Sequence, residues 1–152
     1  MEREDFEVNK GTCAVIPLDE KHCKIISERD YKISESVMEV IEYGCKFFGS
    51  SFAGRIEGSK FLLGSCYKLP IIVDEQTETI FFPTHSYRHK SCSWISLNLI
   101  KEYRKVGYQV EVEFTNGKTI YLPVSYDSFE SQIFRSTKLL LTLQKRNKKN
   151  GG

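Results

Sequence analysis

VEVEFTNGKTIYLPV, residues 110–124, decides the fold. Val110, Val112 and Phe114 are spaced by glutamates, and Ile120, Leu122 and Val124 repeat the same period of two. Strand side chains alternate between faces, so each set marks one buried side of a strand. A two-residue Asn116-Gly117 loop would set Glu113 opposite Ile120 and place charge on the apolar side. A three-residue loop, 115–117, with Gly117 left-handed as a bulge, pairs Val112 with Ile120 and Val110 with Leu122. The sequence therefore predicts a bulged antiparallel hairpin.

Working outward, ISLNLIKEY (95–103) places Ile95, Leu97 and Leu99 on one side of a strand that opens at Trp94 and turns at Gly107 into the hairpin. Earlier still, LPIIVD (69–74) and TIFFP (79–83) read as two short strands around a polar turn at 75–78, followed by a loop, THSYRHKSCS (84–93). CAVIP (13–17) and CKII (23–26) read as short strands near the start. Ser36 and Glu39 form a capping box, in which hydroxyl and carboxylate satisfy backbone donors reciprocally. With Val37, Val40, Ile41 and Phe48 behind it, this predicts a helix over 36–48 ending at Gly49. Residues 50–68, with glycines at 54, 58 and 64, read as irregular.

Beyond the hairpin, Asp127 and Glu130 suggest a second capped start. Phe129, Ile133, Thr137, Leu140 and Leu141 supply a stripe for a helix over 127–147. Its basic last turns complement the negative end of the helix dipole, although a phosphate-contacting tail fits them equally. The expected architecture is α+β: an antiparallel sheet dominated by the strands of 94–124, packed by two main helices. Residues 1–147 form one domain and 148–152 a basic, glycine-ended tail.

A chain of 152 residues buries roughly 68–70% of its unfolded surface, enough for a core without staples. The polar, acidic MEREDFEVNK start has no signal-like apolar run, and no stretch approaches the ~20 apolar residues of a membrane span. The expectation is a cytoplasmic protein without a membrane partner. Five cysteines at irregular spacing, mostly beside apolar neighbours, suit reduced core thiols better than a disulfide framework. The net charge of +2 conceals an asymmetry: 6 basic against 11 acidic side chains in 1–43, 9 against 5 in 44–109, and 7 against 4 in 110–152. A positive field over part of a molecule attracts polyanions whatever the total.

Where the sign changes lies CKFFGSSFAGRIEG (45–58), whose Gly49 and Gly54 imitate a phosphate-cradling loop. The motif needs GK[ST] at its end, whereas Gly54 is followed by Arg55 and Ile56, so both the phosphate lysine and the magnesium hydroxyl are missing. His85, His89 and Cys92 could approach zinc, but three ligands are fewer than a closed site's four, and an outside ligand such as Cys66 would have to be recruited. No nucleophile elbow or Cys/His pairing stands out, so neither an enzyme nor a cofactor is expected. A nucleic-acid reading uses more of the chain. Lys46, Arg55 and Lys60 bracket Ser50 and Ser51, where small residues would admit a phosphate backbone, and Arg88, His89 and Lys90 form a second cluster. Lys101, Arg104 and Lys105 form a third. Arginine suits a narrow, strongly negative minor groove.

CKFFGSSFAGR, LPIIVDEQTETIFFPTHS, CSWIS and VEFTNGKTIYLPVSYDSFESQIFR, in that order and spacing, resemble the competence transcription factors of the ComK type, over about residues 13–140. The resemblance implies a cytoplasmic, nucleoid-associated activator. Such a protein binds paired double-stranded AT-rich boxes largely through the minor groove, as a homo-oligomer (a dimer or dimer of dimers), and switches on DNA-uptake genes. It also implies control by an adaptor that delivers the protein to a Clp protease. Members of the family usually continue past the last helix by some tens of residues, whereas this sequence stops at KKNGG. The alternative is therefore a short regulatory paralogue that pairs with a full-length relative and has lost DNA binding.

Overall fold

The computed structural model describes residues 7–65 and 67–150. Six short strands, β1 (Ala14–Pro17), β2 (Cys23–Ile26), β3 (Asp30–Ile33), β4 (Ile71–Asp74), β5 (Thr79–Pro83) and β6 (Trp94–Ser96), form one antiparallel sheet in the order β3-β2-β1-β6-β5-β4. A second sheet, β7 (Ile100–Val106), β8 (Gln109–Phe114) and β9 (Thr119–Leu122), is also antiparallel. Three helices complete the fold: α1 (Val37–Phe47), α2 (Phe52–Leu63) and α3 (Tyr126–Asn150). It is α+β, as expected.

The hairpin forms in the predicted register. Val110 faces Leu122, Val112 faces Ile120, and Phe114 N–H donates to the Lys118 carbonyl across a loop closed by Gly117 at φ 88°. Its tip is tied to the larger sheet: Asn116 Nδ2 donates to the Ser27 carbonyl at 3.1 Å, and Lys118 Nζ lies 2.7 Å from Asp30.

The six-stranded sheet is covered on both faces over β1, β4, β5 and β6, which is why those strands read as nearly unbroken apolar runs, whereas the edge strand β3, DYKI, alternates. Val15, Ile25, Phe81 and Trp94 meet α1 and Phe52 of α2 on one face. On the other, Ala14, Ile26, Phe82 and Ile95 meet the inner face of the three-stranded sheet and Phe129 of α3, while Ile72 and Ile80 meet Leu139 and Leu143. The larger sheet is therefore the middle layer, and the strands of 94–124 do not dominate it.

Five further expectations are corrected. The strand from Trp94 is not continuous: a 3-10 turn at Leu97–Leu99 transfers the chain from one sheet to the other. Asn98 holds that corner, accepting from Ile80 N–H at 2.9 Å and donating to the Glu78 carbonyl at 2.8 Å. Residues 52–63 are helical rather than irregular, so three helices pack the sheets. Gly54 and Gly58 each weaken the helix by about 1 kcal/mol relative to alanine, but Ser51 Oγ caps its start and Gly64, at φ 66°, closes its end.

The third helix starts at Tyr126, with Ser125 Oγ accepting from Ser128 N–H. Asp127 is thus one residue inside the helix, and Glu130 accepts from the Tyr103 hydroxyl instead of capping. It also continues through residues assigned to the tail. Its buried stripe is Phe129, Gln132, Ser136, Leu139 and Leu143, leaving Thr137 and Leu141 exposed. Two polar residues occupy the inward face, so an apolar count along the sequence rotates the stripe.

Candidate nucleic-acid interface

The stretch 45–58 is a helix–turn–helix corner. Helix α1 keeps its predicted capping box, with Ser36 Oγ accepting from Glu39 N–H and Glu39 accepting from Ser36 N–H, both at 3.2 Å. It ends in a Schellman motif: Gly49, at φ 86°, donates to the Lys46 carbonyl, and Ser50 donates to the Cys45 carbonyl. Ser51 then caps α2. The glycine spacing that imitates a nucleotide loop thus serves two helix ends. A helix does follow it, contrary to expectation, but the strand that should precede it is replaced by α1.

Arg55 turns inward from this corner. Its side chain is only 15% exposed, with Nη1 3.2 Å from Glu75 and Nε buried without a partner among the described residues. Lys46 is exposed at the end of α1 in a groove it shares with Glu35, Glu39 and Glu42. Lys60 is exposed in the last turn of α2, eight residues or about 12 Å beyond Phe52 at the helical rise.

The cluster on β7 is on the other side of the molecule and is internally neutralised. Arg104 lies 2.9 Å from Glu111, 3.4 Å from Glu102 and 3.8 Å from Glu113; Lys101 lies 3.7 Å from Glu113. A cation already matched by carboxylates gains little by meeting a phosphate. Lys105 is separate, in a groove with Tyr108 and Tyr126.

Arg88, His89 and Lys90 differ from both groups. They are exposed at the tip of the 84–93 loop, and no carboxylate forms an ion pair with Arg88 or Lys90 among the described residues. Asp19 and Glu20 border the adjoining groove, and Asp19 is engaged by Lys21 N–H and His22. The loop is stiff at its base: Thr84 N–H donates to the Ser93 carbonyl, and Ser93 N–H donates to Thr84 Oγ1. Within it, His89 N–H donates to the Ser86 carbonyl and Cys92 N–H to the His89 carbonyl.

Tyr87 anchors the tip to the helical layer by packing edge-on against Phe52, centroids 5.3 Å apart, while Phe52 packs on the buried Trp94 at 5.7 Å. Arg88 lies 5.3 Å from the Tyr87 ring centroid, a cation–π contact that holds its guanidinium over that ring. Folding therefore brings the Ser50–Ser51 corner to the flank of the 88–90 tip and leaves Lys101 and Arg104 behind the central sheet.

The His85 and His89 rings stack with centroids 5.0 Å apart, and Cys92 Sγ contacts the His85 and Ser93 carbonyls. Among the described residues, no group of three or more His, Cys, Asp or Glu is placed to hold a metal ion. Cys66, the outside ligand considered, lies outside the described residues. Burial raises the thiol pKa of Cys23 to about 12 and of Cys45 and Cys92 to about 11, and raises that of Cys13. These are unreactive core thiols. No helix among the described residues is long and apolar enough to cross a membrane.

Sequence reasoning missed Tyr87, the tip's anchor, and the residues that hold Ser65, Tyr67 and Lys68 nearby. Arg135 of α3 donates to the Lys68 and Tyr67 carbonyls and to Ser65 Oγ, and Gln132 Nε2 bridges the Lys68 and Pro83 carbonyls at 2.9 and 2.8 Å. Nothing local in the sequence marks these contacts, because they join residues about 50 to 70 positions apart.

No solved structure matches the chain. It is 39% identical over 148 residues to the competence transcription factor of Bacillus subtilis (strain 168), a match spanning 94% of this chain and 77% of that protein. The ComK protein family matches residues 3–148. With both matches running over nearly its whole length, the chain belongs to the ComK family.

Proposed function

We propose that this protein is a transcriptional regulator of competence that acts as a sequence-specific, DNA-binding activator of DNA-uptake genes. It recognises AT-rich double-stranded sites through the minor groove, as a homo-oligomer on the nucleoid. The observation that carries the reading is the 39% identity, over nearly the entire chain, to a protein named a competence transcription factor. The 84–93 loop is the leading contact. It offers cations without an ion-pair partner among the described residues, on a hydrogen-bonded base beside a small-residue corner, and arginine suits a narrow groove. Arg55 supports that corner from within. This is the reading of a regulator, not of an enzyme.

Fluorescence anisotropy on an AT-rich palindrome and a GC-rich control, over a range of salt, tests it. Preferential AT-rich binding that weakens with salt is expected. Arg88→Gln combined with Lys90→Gln should flatten the log K against log salt slope by about 2, at ~0.9 per phosphate contact. Absent, salt-insensitive or sequence-indifferent binding sinks the proposal. Absence of DNA binding together with co-purification of a full-length relative would instead support a regulatory paralogue that does not bind DNA.

A further inference from the structure

Beside the loop, a cavity of about 300 Å³ opens between Lys68, the base of the 84–93 loop and the first turn of α3. Its lining is Tyr67, Val124, Lys68, two histidines and four hydroxyl residues, without a single carboxylate. We propose that this cavity is a phosphoryl-binding pocket, in which Lys68, His85, His89 and Ser128 receive one phosphate group.

The cation is placed there by the fold. Lys68 has φ 46°, a left-handed conformation uncommon outside glycine, and its carbonyl is held by Gln132 and Arg135 from α3. Its Nζ donates to Ser128 Oγ at 3.1 Å and lies 5.5 Å from the Tyr67 ring centroid, with no carboxylate in range among the described residues. Because Ser128 Oγ accepts from the lysine, its own proton is free to donate.

The His89 imidazole is also set as a donor. Ser91 N–H donates to His89 Nδ1 at 3.0 Å, so the neutral ring carries its proton on Nε2. Thr84 Oγ1 accepts from Ser93 N–H and pairs with His85 Nδ1 at 2.8 Å; with the hydroxyl as donor of that pair, His85 presents Nε2–H in the same way. A lysine, a hydroxyl and two ring N–H groups match the several acceptor oxygens of a tetrahedral phosphoryl group better than the two of a carboxylate.

The electrostatics agree. Burial, then the Arg135 charge, lowers the Lys68 pKa; burial, then His89 and Lys68, lowers that of His85. Cationic groups that mutually disfavour charge, with no anion among them, are relieved by a bound anion.

The pocket itself is independent of the DNA reading, which enters only in making a backbone phosphate the source. Titration of the full chain with inorganic phosphate, at ionic strength held constant with chloride, should shift the His85 and His89 imidazole NMR resonances saturably. The shifts should be lost in Lys68→Gln, with its fold checked by circular dichroism and melting. On an AT-rich duplex, Lys68→Gln should flatten the salt slope by about 0.9. Phosphate shifts with an unchanged slope would overturn the DNA source and leave a site for free or small-molecule phosphate. Absence of any saturable shift in the unmodified protein overturns the pocket, and DNA binding that persists in that case leaves the regulatory reading standing.

Discussion

Gln132 and Ser136 sit one turn apart on the buried face of α3, 2% and 0% exposed, yet their replacement should have opposite effects. Gln132 makes three hydrogen bonds: Nε2 donates to the Lys68 and Pro83 carbonyls at 2.9 and 2.8 Å, and Oε1 accepts from Arg135 Nη1 at 2.8 Å. In Gln132→Leu, two bonds between neutral groups at about 0.5–1.5 kcal/mol each and one to a guanidinium at about 1.5–3 are lost, roughly 4 kcal/mol together. Leucine in the same space returns about 1.5–3 kcal/mol of apolar burial, leaving a net loss of about 2. For a domain of this size that lowers Tm by about 4–8 °C.

Ser136 Oγ is buried without a partner among the described residues. Ser136→Ala removes that unsatisfied group and improves helix propensity by about 0.5 kcal/mol, and the propensity gain by itself should raise Tm by about 1–2 °C. Thermal melts followed by circular dichroism at 222 nm read both variants. A Gln132→Leu protein as stable as the parent would refute the idea that this network ties α3 to the base of the 84–93 loop. A destabilised Ser136→Ala would show that its hydroxyl has a partner after all.

Gly58 lies inside α2 with open space around its Cβ position, so Gly58→Ala should stabilise by about 0.5–1 kcal/mol, whereas Gly49→Ala at φ 86° should cost about 1–2; chemical denaturation midpoints distinguish them. Arg55→Ala should cost about 1–2 kcal/mol through lost packing and pairing while leaving the DNA salt slope unchanged, and the converse pattern would identify Arg55 as a phosphate contact. The raised thiol pKa values of Cys23, Cys45 and Cys92 mean that the unfolded chain loses these protons above about pH 9 while the folded chain keeps them to about 11 or 12. Stability is therefore full below pH 9 and should fall above it, by up to about 4 kcal/mol per pH unit for three thiols. A melting temperature flat from pH 9 to 11 would contradict this. In the native state at pH 8, Cys13, Cys23, Cys45 and Cys92 should resist alkylation, as peptide mapping would show.

The parts legible in the sequence are those settled within a few residues. The hairpin register follows from a period of two and the turn geometry of Gly117, and the start of α1 from hydroxyl and carboxylate three positions apart. Helix α2 was obscured because its capping signals surround two interior glycines and its apolar residues point in several directions, leaving Phe61 88% exposed. The passage between sheets at 97–99 was obscured because Leu97 and Leu99 continue an alternation that the backbone abandons. The candidate site was half legible. Clusters of bases can be counted along a chain, but whether a carboxylate neutralises each one depends on residues that folding delivers.

Sequence by itself determined the α+β class, the bulged hairpin, the first capped helix and the resemblance that identifies the family. Each rests on steric and hydrogen-bonding rules acting over neighbouring residues, or on blocks of letters. Tertiary structure alone decided that the larger sheet is a middle layer, that Glu111 and Glu75 occupy Arg104 and Arg55, and that the 88–90 tip keeps its charge available. It also decided that Lys68 and His85, from two different connections, meet Ser128 of α3 around a single cavity. Such pairings join groups tens of residues apart, and their energies exist only once the apolar layers have fixed the distances between them.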